Sequence, residues 1–64
     1  MEKKVWLVTY NTADEPKRRM VSGIFDSREK ADEDREAILA RYRGQTYRGG
    51  SFLVDTEVSE HELR

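Results

Sequence analysis

The chain has 64 residues, 36% of them hydrophobic and 39% charged, with 12 basic and 13 acidic side chains and a formal net charge of −1. This near-neutral balance argues against a general polyanion binder, which would be strongly basic overall. The lack of cysteine excludes disulfides and thiolate metal sites. A chain this short makes one domain and buries only about 60% of the surface its unfolded form exposes, so a partner subunit is the expected source of extra stability.

Residues 4–10 read as a first strand. Val5, Leu7 and Thr9 fall on one face, and Trp6, Val8 and Tyr10 on the other. Both faces are apolar, the pattern of a strand covered on both sides. Two arrangements satisfy it. Either a second layer exists, most economically a second copy of the chain, or Trp6 and Tyr10 line a single core while Val5 and Leu7 sit half exposed. The apolar run from Val5 to Val8 is far too short to cross a bilayer. The opening Met-Glu-Lys-Lys leads into the strand without the hydrophobic region of a signal peptide. A cytoplasmic setting with no membrane partner is expected.

Residues 11–17 are polar, contain Pro16, and read as a hairpin loop. A second strand follows over about 19–25, with Met20, Ser22 and Ile24 on one face and Val21, Gly23 and Phe25 on the other. Gly23 inside it marks a bulge or a close backbone approach.

Asp26 and Ser27 supply helix N-cap chemistry. With Ser27 as cap, Ala31 is the first core-facing residue; with Asp26 as cap, Glu29 falls at the capping-box position. The helix is expected over about 28–43, ending at Gly44 as the C′ residue. Acids crowd its front half and Arg41 and Arg43 its tail, which complements the helix dipole. Ala31, Arg35, Ile38, Leu39 and Tyr42 form the core-facing stripe. Arg35 interrupts it, with its stem expected to pack on the sheet and its guanidinium to snorkel out to an acid.

Residues 45–50 read as a loop, and 51–58 as a third strand with Phe52, Val54, Thr56 and Val58 inward. Residues 59–64 are charged and expected to fray. The fold class is α+β: a single small ββαβ domain over 1–64, its three-stranded, mainly antiparallel sheet backed on one face by one helix. The first strand, as the most apolar, is expected at the centre.

The pattern resembles a loose group of very short ββαβ proteins of bacteria and their phages. The residues carrying it are 5–10, Gly23-Ile24-Phe25-Asp26-Ser27 leading to Lys30-Ala31, Arg41-Tyr42, and Phe52-Leu53-Val54-Asp55. The resemblance implies a stand-alone module, often dimeric, in a bacterial cytoplasm or, if phage-encoded, that of the host. It transfers no catalytic residues. Some short phage proteins of this size block host defence proteins, so the resemblance also implies an inhibitor role.

Tests for chemistry give little. The one histidine, His61, falls in the expected frayed tail, whereas a catalytic base must be held within hydrogen-bond reach of its target. The run Asp32-Glu33-Asp34 with Glu36 lacks the glycine turn and alternating spacing of a calcium loop. Consecutive carboxylates on a helix also point in different directions. No enzyme activity, metal or cofactor is expected.

The main expectation is an interaction module, a homodimer that binds and modulates a protein partner. Trp6, Val8, Tyr10 and Arg35 are the candidate dimer or partner contacts, because tryptophan, tyrosine and arginine dominate interface hot spots. A second reading is nucleic-acid binding through the tract at 41–50, where arginines alternate with tyrosines and glycines. Arg41, Arg43, Tyr47 and Arg48 suit phosphate contact and base stacking, and Arg18 and Arg19 extend the patch if the hairpin lies near the helix end. A third is a small ligand held between subunits.

Overall fold

The computed structural model describes residues 3–63. Strand β1 covers Lys3–Thr12, β2 covers Glu15–Phe25, helix α1 covers Arg28–Arg41, and β5 covers Leu53–Leu63. Between helix and last strand, β3 (Thr46–Tyr47) and β4 (Gly50–Ser51) form a two-stranded hairpin. The main sheet has the order β2-β1-β5 with both pairings antiparallel. The α+β sheet-and-helix architecture and the central first strand are those the sequence implies.

Boundaries depart from the sequence reading in four places, the first being that residues 45–50, expected as a loop, carry most of the β3–β4 hairpin. The strands of the first hairpin run almost to its tip, so the expected loop at 11–17 shrinks to a turn at Ala13 and Asp14. The helix ends at Arg41, with Tyr42 as C-cap and Gly44 following at φ 79°. Most consequentially, residues 59–63 are not a frayed tail. Val5 pairs with His61 and Lys3 with Leu63, so β5 runs beside the whole of β1. The charges in this tail signalled solvent exposure, which an edge strand satisfies as well as a coil does.

Bulges set the faces of the sheet. Val8 pairs with Gly23 but Thr9 with Val21, leaving Ser22 as an extra residue in β2. The side-chain parity of β2 therefore reverses there. Val21 joins Ile24 on one face, while Met20, Gly23 and Phe25 share the other, a correction to the strict alternation read from the sequence. The lack of a side chain at Gly23 matters, because a Cβ there would sit 3.0 Å from the Phe25 ring, which folds over it. In β5, Asn11 pairs with Asp55 and Thr12 with Leu53, so Val54 is the extra residue and is exposed. Leu53 packs on the core in its place.

The helix covers the face carrying Trp6, Val8 and Tyr10. Val8, Ala31 and Ile38 are the fully buried apolar core, and Trp6, Tyr10, Phe25, Tyr42, Leu53 and Val58 pack around it. Ser27 is the N-cap, its hydroxyl accepting from the Lys30 amide at 3.3 Å. Two polar contacts moor the helix across the sheet. The Ser22 hydroxyl, raised by the bulge, donates to Asp34 Oδ2 at 2.6 Å. On the other side, Arg35 Nε donates to the Thr56 carbonyl at 3.5 Å. No helix among the described residues is long and apolar enough to cross a membrane.

Candidate interaction surfaces

Among the described residues, no element covers the other face of the sheet, and it divides into two halves. Toward the hairpin it is polar and organised by Arg19. The Arg19 guanidinium donates to Thr9 Oγ1 at 2.9 Å and Asn11 Oδ1 at 2.6 Å, and meets Asp55 at 3.3 Å and Glu57 at 3.4 Å. Thr9 and Asn11 belong to β1, Asp55 and Glu57 to the same face of β5, and Arg19 itself to β2, so the fork ties all three strands together.

Asn11 extends this network. Tyr10 pairs with Met20 and Thr12 with Glu15, which leaves residues 16–19 of β2 opposite Asn11 alone. A bulge of this size strands backbone carbonyls, and Asn11 Nδ2 supplies them, donating to Pro16 O at 3.3 Å and Arg18 O at 2.9 Å. Pro16, which cannot donate to a ladder, is tolerated because β2 is an edge strand.

The second half of the open face is apolar. Val21 and Ile24 are 59% and 65% exposed. Leu7, paired with Ile24, and Val5 beside it are half-buried. Ser59 and His61 border this patch on β5, opposite Leu7 and Val5. The Ser59 hydroxyl lies 3.0 Å from His61 Nε2, a pairing that a frayed tail would not have held. Nucleophilic catalysis asks for a third group orienting the imidazole, and among the described residues no hydrogen bond reaches His61 Nδ1.

The candidate contacts Trp6, Val8 and Tyr10 lie on the helix-covered face. Val8 is completely buried, and Trp6 and Tyr10 are partly so. All three belong to the core, and Val8 offers no surface to a partner. Arg35 stands at the helix margin, its stem over β5 and its Nη1 3.9 Å from Glu36. The large apolar side chains exposed among the described residues are instead Val21 and Ile24 on β2, Tyr47 on β3, and Val54 and Leu63 on β5, with the Ser22 bulge turning Val21 outward. Strict alternation gave no sign of this.

At the hairpin end an aromatic series crosses the molecule. The Tyr10 and Tyr42 rings are 6.2 Å apart, Tyr42 and Phe52 5.4 Å, and Phe52 and Tyr47 6.5 Å in an edge-on arrangement. The Arg48 guanidinium lies 5.5 Å from the Tyr47 centroid. The first hairpin does approach this end, since the Ala13 amide donates to the Phe52 carbonyl at 2.7 Å. However, Arg18 pairs with Glu15 at 3.9 Å, and Arg19 is held by acids on the face opposite the helix. Arg41, Arg43, Tyr47 and Arg48 thus lie at one end of the molecule, and Arg19 points away from them.

Burial holds the Tyr10 phenol above its ordinary pKa, and the neighbouring Tyr42 adds to the shift by its charge and a hydrogen bond, against a smaller opposing pull from Arg41. The hydrogen bond from Lys30 at 3.2 Å holds the Asp26 carboxyl below its usual value. Among the described residues, no cluster of three or more metal-ligating side chains is present. No protein-family model, curated protein or solved structure matches this chain.

Proposed function

We propose that the chain is a small non-enzymatic interaction module. It pairs with a second copy across the uncovered sheet face and binds and modulates a protein partner. The observation that supports this reading is the patch of Val21, Ile24, Leu7 and Val5, an apolar surface on a domain whose described residues include only three fully buried apolar side chains. Burying such a patch removes apolar area from water at about 25 cal/mol per Å². A domain of this size gains most from that. The protein-inhibitor role and the bacterial or phage cytoplasm come from the resemblance of the ββαβ pattern.

The test is light scattering coupled to gel filtration over a dilution series, with wild type and Ile24→Glu. Wild type is expected to show a concentration-dependent mass near twice 7.5 kDa. Ile24→Glu is expected to remain folded and run as a monomer, because Ile24 is a surface residue of the single chain. A wild type that stays monomeric at all concentrations, or a variant that still dimerises, overturns the sheet-face dimer.

A further inference from the structure

We propose that the end of the molecule built from the helix C-terminus and the β3–β4 hairpin binds single-stranded nucleic acid. This surface is separate from the open sheet face, and its test is independent of the dimer.

The first argument is charge. Arg18, Arg19, Arg28 and Arg35 each have a carboxylate within 4.0 Å. Arg41, Arg43 and Arg48 are exposed and have none among the described residues. No acid stands between Glu36 and Asp55, so the whole segment from helix tail to β4 is basic or neutral. The net charge of −1 conceals this separation: most of the acids lie at the front of the helix and along β5, while Asp14 and Glu15, the latter beside Arg18, stand at the tip of the first hairpin.

The second argument is the aromatic series, whose outer member, Tyr47, is 36% exposed. Arg48 lies against it, so a flat cation and a flat ring sit together at the surface. Unpaired bases stack on such groups while arginines contact phosphate. A duplex keeps its bases stacked inside, and an acidic peptide has no use for the ring. A single strand is the polyanion that uses both features.

The third argument is backbone conformation. Arg48 and Gly49 occupy the turn of the β3–β4 hairpin at φ 52° and 84°. Positive φ at both central residues is the geometry of a type I′ turn, for which asparagine or glycine is the favoured first residue. An arginine is held there against its conformational preference, and strain of this kind clusters at binding sites. Gly49 and Gly50 beside it leave the backbone open to close approach.

The experiment is fluorescence anisotropy with a labelled oligothymidylate of about 15 nucleotides, long enough for one small domain, and an abasic chain of equal length. The oligothymidylate is expected to bind at low salt with a log–log salt slope near about −2, from three arginine contacts at about 0.7 each. Arg43→Ala with Arg48→Ala is expected to reduce that slope to about −0.7. Tyr47→Ala is expected to weaken oligothymidylate by about 5- to 150-fold and leave the abasic chain unchanged. Because Tyr47 also touches Phe52, Arg48→Gly provides a second variant. It relaxes the turn, so it melts no lower than wild type, yet it binds more weakly. The proposal is overturned by absence of binding at low salt, by equal binding of the two chains (charge recognition alone, as for an acidic protein), or by an unchanged slope in the double variant.

Discussion

Asn11 supplies with one side chain what a stretch of sheet ladder supplies elsewhere. Its amide group satisfies two carbonyls of the β2 bulge and its oxygen accepts from Arg19. Asn11→Ala deprives all three at a largely buried position, and leaving such groups unpaired costs about 1–3 kcal/mol. In a domain of this size each kcal/mol moves Tm by about 4–8 °C. Thermal denaturation followed by circular dichroism is expected to show a fall of about 4 °C or more, and an unchanged Tm would mean that the bonds contribute nothing. Tyr10 makes a different prediction. Its pKa is raised above 10.0 in the fold, so the folded state holds the phenolic proton more tightly than the unfolded chain does. That contribution is fully present below pH 10.0 and is lost as pH rises through the higher folded value. Wild type should lose stability above about pH 10 faster than Tyr10→Phe, which keeps the ring and removes the proton. Parallel alkaline curves for the two proteins would contradict this assignment.

At the scale of the elements, the strongest signals in the chain were local and chemical. Ser27 as cap, Gly44 at positive φ and the apolar run in β1 rest on interactions within a few residues, and each appears in the fold; the alternation in β5 holds for Thr56 and Val58 and breaks at the Val54 bulge. What escaped the sequence depends on pairing between strands. Between the pairs Thr12–Glu15 and Trp6–Phe25, β2 has four residues more than β1, and the pairing takes up one of them at Ser22 and the rest at 16–19. Nothing in β2 alone says which residue is extra, although Gly23 pointed to the neighbourhood. The large bulge at 16–19 is equally hidden, since it is stabilised by a side chain on another strand. The extension of β5 was missed because its tail resembles a solvated coil in composition and becomes a strand only beside β1. The candidate surfaces divide in the same way. The basic-aromatic tract is continuous in sequence and was legible there. Of the apolar patch, the β1 half was legible in the two-sided apolar run that left Val5 and Leu7 half exposed, whereas the β2 half depends on a parity change and was not.

For the whole molecule, the governing fact is a mismatch of lengths. Eleven residues of β5 extend about 36 Å at about 3.3 Å each, whereas the 14 residues of the helix reach only about 21 Å at about 1.5 Å each. The molecule is accordingly long and thin, with Cα extents of 48 × 22 × 10 Å. The helix shields the middle of the sheet and the hairpin end, where Val8, Ile38 and the aromatic series lie. Lys3, Lys4 and residues 60–63 lie beyond its reach, exposed at the far end of β1 and β5. Protection against hydrogen exchange should therefore be graded along one strand. Amides of β5 near Thr56 and Val58 should open only with the global transition, while those of residues 60–63 should exchange through a local opening of lower free energy. A uniform exchange rate along β5 would mean that this end is held as firmly as the core. The graded profile instead describes a domain that opens from one end, with its most stable part beside the hairpin where the basic surface is displayed.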